Sequence, residues 1–209
     1  MTDILITKYC NALQSDEKKK RSKGLEELSK FLHDHDAELQ VTEKVTIYKN
    51  ILRCFNDKSE ACRELAVKVV TEIVSSLDQE EDYFTYLMPA LLQRLGGQEI
   101  VEPSEEVRLL EVSLLHRVIN KYNPALLPSY LNDVMQILVK TLVDPYPKIK
   151  SESCKCAADL AETIPRHFYS HSQSLITPML QSITHQHYRI RIVAITAIGK
   201  FISIKEEHL

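Results

Sequence analysis

Asp144-Pro145-Tyr146-Pro147-Lys148-Ile149-Lys150 is the stretch on which the fold turns. Proline carries no backbone N–H and holds φ near −65°, so a helix arriving at Pro145 must stop, whereas Pro147 suits the first turn of a new one. Upstream, Leu131, Val134, Ile137, Leu138 and Leu142 recur at helical spacing. Downstream, Ile149, Cys156, Ala157, Leu160 and Ala161 do the same. The segment therefore reads as a tight turn between two amphipathic helices that share one apolar seam.

The same arrangement returns along the chain. An apolar residue or lysine followed by a base occurs at Lys20-Arg21, Cys62-Arg63, Val107-Arg108, Ile149-Lys150 and Ile190-Arg191, with the bases 42, 45, 42 and 41 residues apart. Counted from the residue before each base, a helix needs apolar side chains at offsets 0, 3, 4, 7, 8, 11 and 12. The last unit fills all seven with Ile190, Val193, Ala194, Ala197, Ile198, Phe201 and Ile202. The second fills them with Cys62, Leu65, Ala66, Val69, Val70, Ile73 and Val74. A preceding amphipathic segment, such as Val45, Tyr48, Leu52 and Phe55, completes each hairpin. Asn56-Asp57 and Glu102-Pro103 stand where Asp144-Pro145 stands, while Pro89 and Pro178 fall inside first helices and predict a kink or a late start there.

A hairpin of about 42 residues cannot bury its apolar stripe alone, so successive hairpins must stack. The turn resembles the HEAT-repeat pattern D-P-x-P-x-(V/I)-(R/K). The expected fold is all-α, a right-handed α-solenoid of about five HEAT-type helical hairpins. It forms a single array over 1–209, with units near 1–40, 41–80, 81–123, 124–168 and 169–209. In such a stack acid and base form ladders between neighbouring repeats, which assigns Asp57, Arg63, Arg108, Asp144, Lys150 and Arg191 to structure. Lys20, Lys23 and Glu27 replace apolar positions in the first unit and suit a solvated cap. The final helix is apolar nearly all round, so the array is expected to continue in a longer parent chain.

Composition agrees with helices. Four glycines in 209 residues leave few sites for tight hairpin turns with positive φ, and 44% apolar content suffices for a core. With 26 Lys and Arg against 29 Asp and Glu, the net charge of −3 offers no phosphate-binding footprint, so nucleic acid is not the expected partner. Met1-Thr2-Asp3 does not open a basic region followed by an apolar run, and no 18 uncharged apolar residues follow one another, so no helical membrane span is expected. Five cysteines without C-x-x-C spacing fit a reducing, cytoplasmic setting.

Candidate chemistry is sparse. His33-Asp34-His35-Asp36 has residue types that bind zinc or iron, yet it ends a helix, where His is favoured by the dipole and Asp by the connector. His167, His171, His185 and His187 cluster without a completing carboxylate. Cys154 and Cys156 point about 200° apart on one helix and cannot bridge. No G-x-S-x-G, phosphate loop or dinucleotide fingerprint occurs, so no enzyme and no cofactor is expected. Glu111 departs from the pattern, standing at offset 4 where other units place Gly24, Ala66, Ser153 and Ala194. It is expected to swing out or to pair with a base of the adjacent unit, with contact to a partner as the other reading.

Ser151 to Ala158, Pro165-Arg166-His167-Phe168, Ser174-Leu175-Ile176 and Ile183 to Arg191 resemble the HEAT-repeat dynein axonemal assembly factors, closely over 140–203 and more loosely before. The resemblance implies a cytoplasmic, non-catalytic scaffold for preassembly of inner and outer dynein arms of motile cilia. Its implied partners are dynein intermediate chain, chaperones and other assembly factors. Exposed second-helix positions Lys68, Glu72, Arg117, Lys121, Lys155 and Lys200 are the expected recognition face. The alternative is a generic scaffold of the transport or phosphatase-regulatory type; absence of Trp speaks against an import receptor. A metal-dependent HEAT enzyme is the third reading.

Overall fold

The computed structural model describes residues 2–35, 39–76 and 83–207, and among these the regular structure is helical throughout. The second helices of the hairpins are α2 (Lys18–His35), α4 (Glu60–Ser76), α6 (Glu105–Lys121), α8 (Pro147–Thr163) and α11 (Tyr188–Glu207). Each begins three residues before the base that marks its repeat, so the base lies on the first turn. The first helices are α1 (Thr2–Leu13), α3 (Val41–Arg53), α5 (Phe84–Leu91), α7 (Leu131–Thr141) and α10 (Gln173–Ile183). A further short helix, α9 (Pro165–His171), opens on Pro165 and precedes α10.

The chain divides into two compact units, Met1–Ala90 and Leu91–Leu209. In the first, α1 packs on α2 and α3, and α2 packs on α4. Leu25, Leu28, Ile47, Ile51, Phe55, Ala66 and Val70 are sealed from solvent. Truncating a side chain such as Phe55 there costs about 3–5 kcal/mol. Gly24 is required by close packing: a Cβ on it would stand 2.9 Å from Cβ of Ala12 in α1. The small residue lets the first two helices approach.

In the second unit α6 packs on α8 and α8 on α11, while α7 packs on α10. The seam holds Val112, Leu115, Val118 and Ile119 from α6, and Ile149, Ala157, Leu160 and Ala161 from α8. Leu92–Gly96 is a π-helical turn, and Pro178 is carried inside α10. Pro89 likewise stands inside α5 of the first unit. On α11 the expected seven-residue stripe is only partly used. Ile190, Ala194 and Ala197 are buried, but Ile202 is 56% exposed, as are Ile192 at 56% and Ile195 at 55%. Among the described residues, one side of this apolar helix is packed and the other is exposed.

Gly24 and Gly199, the two glycines inside α-helices, give opposite expectations. Gly24→Ala forces a sub-van-der-Waals contact and should lower stability by about 1–3 kcal/mol. Gly199, in α11, has nothing within 4 Å of a built Cβ. Gly199→Ala should gain about 0.5–1 kcal/mol of helix propensity. Urea unfolding followed by circular dichroism measures both; a neutral Gly24→Ala would contradict the close approach of α1 and α2.

Candidate functional site

One backbone device is built five times. Two residues before the helix cap, a side chain accepts a hydrogen bond from the cap residue's N–H. The pairs are Ser15 Oγ with Glu17 (3.3 Å), Asp57 Oδ1 with Ser59 (2.7 Å), Glu102 Oε1 with Ser104 (2.9 Å), Asp144 Oδ1 with Tyr146 (2.8 Å) and His185 Nδ1 with His187 (3.1 Å). The repeat's base then folds back over the same turn. Arg21 Nη1 donates to the carbonyls of Ser15 and Asp16, Arg63 Nη1 to that of Asp57, Arg108 Nη1 to those of Glu102 and Pro103, and Arg191 Nη1 to those of His185 and Gln186. Turn carbonyls that a helix end would otherwise leave bare are thereby satisfied.

The other edge of the guanidinium reaches the next repeat. Arg21 holds Asp57 through Nε–Oδ2 at 2.6 Å and Nη2–Oδ1 at 2.8 Å. Arg108 holds Asp144 through the same atoms at 2.8 and 3.2 Å. Both acids lie 36 residues beyond their base. Burial pushes the Asp57 carboxyl upward, but the Arg21 hydrogen bond, the Ser59 N–H and the positive charges of Arg21 and Arg63 outweigh it and hold its pKa below the usual value. Arg191, expected in the same ladder, clips its own turn as Arg21 and Arg108 do, whereas Lys150 differs. The Lys150 ammonium makes no hydrogen bond or ion pair among the described residues.

Glu111 does not swing out: it is fully buried, and its Oε1 lies 3.9 Å from Nε of Arg94 in the π-helical turn of its own hairpin. Arg94 also pairs with Glu102. Two buried carboxylates thus share a buried guanidinium, which supplies the charge they need out of water.

The second-helix face carries a further network that sequence reading missed. His116 on α6 is held between two acids of α8, with Nδ1 2.8 Å from Glu152 Oε1 and Nε2 2.7 Å from Asp159 Oδ2. Asn120 donates to Asp159 at 3.1 Å, and Lys200 of α11 reaches Asp159 at 3.4 Å and Glu162 at 2.9 Å. Burial lowers the His116 pKa, yet the two carboxylates more than offset that and raise it, while both acids are lowered. Aligning the second helices by their bases brings position 116 beside 159 in the neighbouring repeat. Charge complementarity across that alignment was the available signal.

The expected recognition residues are mostly engaged at home. Lys68 pairs with Glu64 at 2.6 Å, Glu72 accepts from Ser29 Oγ at 2.8 Å, and Lys155 pairs with Glu152 at 3.3 Å. Lys200 belongs to the network above. Arg117 is exposed on α6, and Lys121 lies in its last turn. A hollow of about 290 Å³ lined by His116, Lys155, Asp159, Ile192, Thr196 and Lys200 opens beside this network.

The remaining candidates hold little chemistry. His33 and His35 end α2, and Asp36 lies outside the described residues. Among the described residues no group of three or more His, Cys, Asp or Glu is placed to hold a metal. All five cysteines are free and buried. Burial pushes the thiols of Cys54 and Cys154 up to about 12, far from a nucleophilic thiolate at neutral pH. No helix among the described residues is long and apolar enough to cross a membrane.

Paired helices, clipped turns and base–acid rungs define an α-solenoid repeat protein. Solved structures agree on the fold: Kap121p bound to Pho4p has a TM-score of 0.75 at 16% identity, covering 97% of this chain and 20% of that one. A computationally designed armadillo repeat protein gives 0.69 at 16% identity, covering 97% and 86%. The sequence profile described as dynein axonemal assembly factor 5-like, TPR repeats, matches residues 12–208, and the chain belongs to that family. The spacing of its bases falls at or near the roughly 40–47 residues of HEAT and armadillo units, not the 34 of a TPR. Dynein axonemal assembly factor 5 of Xenopus laevis is 40% identical over 199 residues, covering 94% of this chain. The Homo sapiens protein of that name is 34% identical, again over 94% of this chain. The chain spans about a quarter, 24%, of the length of either relative.

The His116 network makes stability depend on pH in a defined sense. A raised histidine pKa gives a contribution that is complete below the unfolded value near 6.5 and fades as pH rises through the folded pKa. The lowered acids contribute above their unfolded values and lose that contribution as pH falls through the folded ones. His116→Gln should therefore cost about 1–2 kcal/mol at pH 6 and clearly less at pH 9, measured by urea unfolding at both. An equal cost at the two pH values would show that His116 acts by packing alone.

Proposed function

We propose that this chain is a repeat segment of a non-catalytic, cytoplasmic scaffold for preassembly of the inner and outer axonemal dynein arms of motile cilia, and that it binds dynein intermediate chain. The observation that carries this reading is the family match over residues 12–208 together with relatives named dynein axonemal assembly factor 5. Chaperones and other assembly factors are the expected companions. The likeness to Kap121p, at 16% identity, speaks to fold and not to a transport cargo.

The side-chain arrangement supports a binding role in physical terms. Within each unit neighbouring second helices pack on one another and carry charged groups, and a surface of that kind gains affinity through many modest contacts. Because Lys68, Glu72, Lys155 and Lys200 already have internal partners, a client must exchange those bonds for its own. Specificity then comes from matching charges and holds affinity modest, since each exchange of surface ion pairs is worth about 0–1 kcal/mol. A client that engages and is later released fits such a surface. Nothing in the reading requires a cofactor.

Pull-down from cells building motile cilia, using the full-length parent protein and a truncation ending at Leu209, tests the proposal. Recovery of dynein intermediate chain with both supports a client site in this segment. Recovery with the full-length protein alone moves the site elsewhere, and recovery with neither, while other partners are retained, leaves a scaffold of different clientele.

A further inference from the structure

The turn opening α11 is built like the turns opening α4 and α8, with one change of chemistry. Asp57, Asp144 and His185 occupy the same position: each side chain accepts the cap residue's N–H, at 2.7, 2.8 and 3.1 Å. Asp57 and Asp144 also receive the bidentate guanidinium of the preceding repeat, from Arg21 and Arg108. At the α8–α11 joint the base is Lys150, 35 residues before His185, and the acid is replaced by an imidazole. Arg191 donates to the carbonyls of His185 and Gln186 at 2.9 and 3.0 Å, so a second cation stands on the same turn. The His187 ring lies beside that of His185 with centroids 5.3 Å apart.

The repeat places Lys150 at the joint where His185 and Arg191 meet, and among the described residues no carboxylate forms an ion pair with Lys150. From this we infer that the Lys150–His185–Arg191 joint is an anion site, whose ligand is an Asp or Glu carboxylate presented by a segment of a partner protein. The ladder itself supplies the reason for a carboxylate: at the equivalent joints a carboxylate is what the fold places opposite the base. His185 and Lys150 are both partly exposed, so an external side chain can reach them. Burial and the charges of Lys150, His187 and Arg191 lower the His185 pKa, consistent with a joint short of negative charge. The inference is independent of which client the segment binds. It extends the scaffold reading by naming a chemical class that one joint would recognise.

The test uses the full-length protein with histidines isotopically labelled for NMR, His185 being assigned by His185→Gln. The probes are a short Asp- and Glu-rich peptide, the same peptide with Asn and Gln, and inorganic phosphate. The acidic peptide should shift the His185 resonances and raise its pKa, and the amide peptide should not. Lys150→Gln should weaken the acidic peptide at least tenfold. His185→Asp supplies the carboxylate internally, so it should raise the melting temperature and abolish peptide binding. Several results would overturn the inference: no shift with the acidic peptide, a response to phosphate alone, undiminished binding by Lys150→Gln, or a lower melting temperature for His185→Asp.

Discussion

A forked guanidinium that serves two repeats at once is the constraint on which the rest of this structure depends. Arg108 spends one nitrogen on the carbonyls of its own turn and the opposite edge on Asp144 of the next, and Arg21 does the same with Asp57. Lysine cannot do this, since a single ammonium lacks two separated donor edges in one plane. Asp57 and Asp144 in turn divide their oxygens between that guanidinium and a backbone N–H at the head of a helix. Turn geometry, helix start and the spacing of adjacent hairpins are fixed together. Apolar burial supplies most of the stability, but it is tolerant of small sliding. The ion pair is directional, and its value is as much register as energy.

Within that frame, residue size settles how close the helices come. Gly24 admits Ala12, and the small buried Ser153 of α8 lies close enough to α7 to donate to Thr141 at 2.8 Å. Larger apolar residues fill the space between first and second helices. The charged groups are then left along the outer edge of the second helices, where His116, Glu152, Asp159 and Lys200 cross-link three of them. These charged groups are thus already tied into the fold.

The helices and their turns were legible because a physical requirement recurs: a base on the first turn of each second helix and apolar residues at helical spacing behind it, with proline marking the start of α8. Every second helix starts three residues before its base. Contacts that join one repeat to another were harder to see. Asp144 could be assigned to a ladder, but which base it meets depends on three-dimensional stacking. His116 escaped because its partners lie 36 and 43 residues away, and no local spacing marks it. Glu111 was misjudged for a related reason. Its countercharge, Arg94, comes from a π-helical turn whose facing could not be read from a 3.6-residue period. Lys68, Lys155 and Lys200 are expected at a recognition face because of their exposure, and exposure alone does not reveal their existing partners.

A double-mutant cycle on Arg108→Ala and Asp144→Ala, read by urea unfolding, bears most directly on the ladder as the organising interaction. Each single change should cost about 3–5 kcal/mol, because each strands a buried charge. The double variant should be less destabilised than the sum by at least about 1 kcal/mol, the coupling expected of groups in direct contact. Strict additivity, or single costs within about 0.5 kcal/mol of zero, would mean that apolar packing alone sets the stack and the rung merely decorates it.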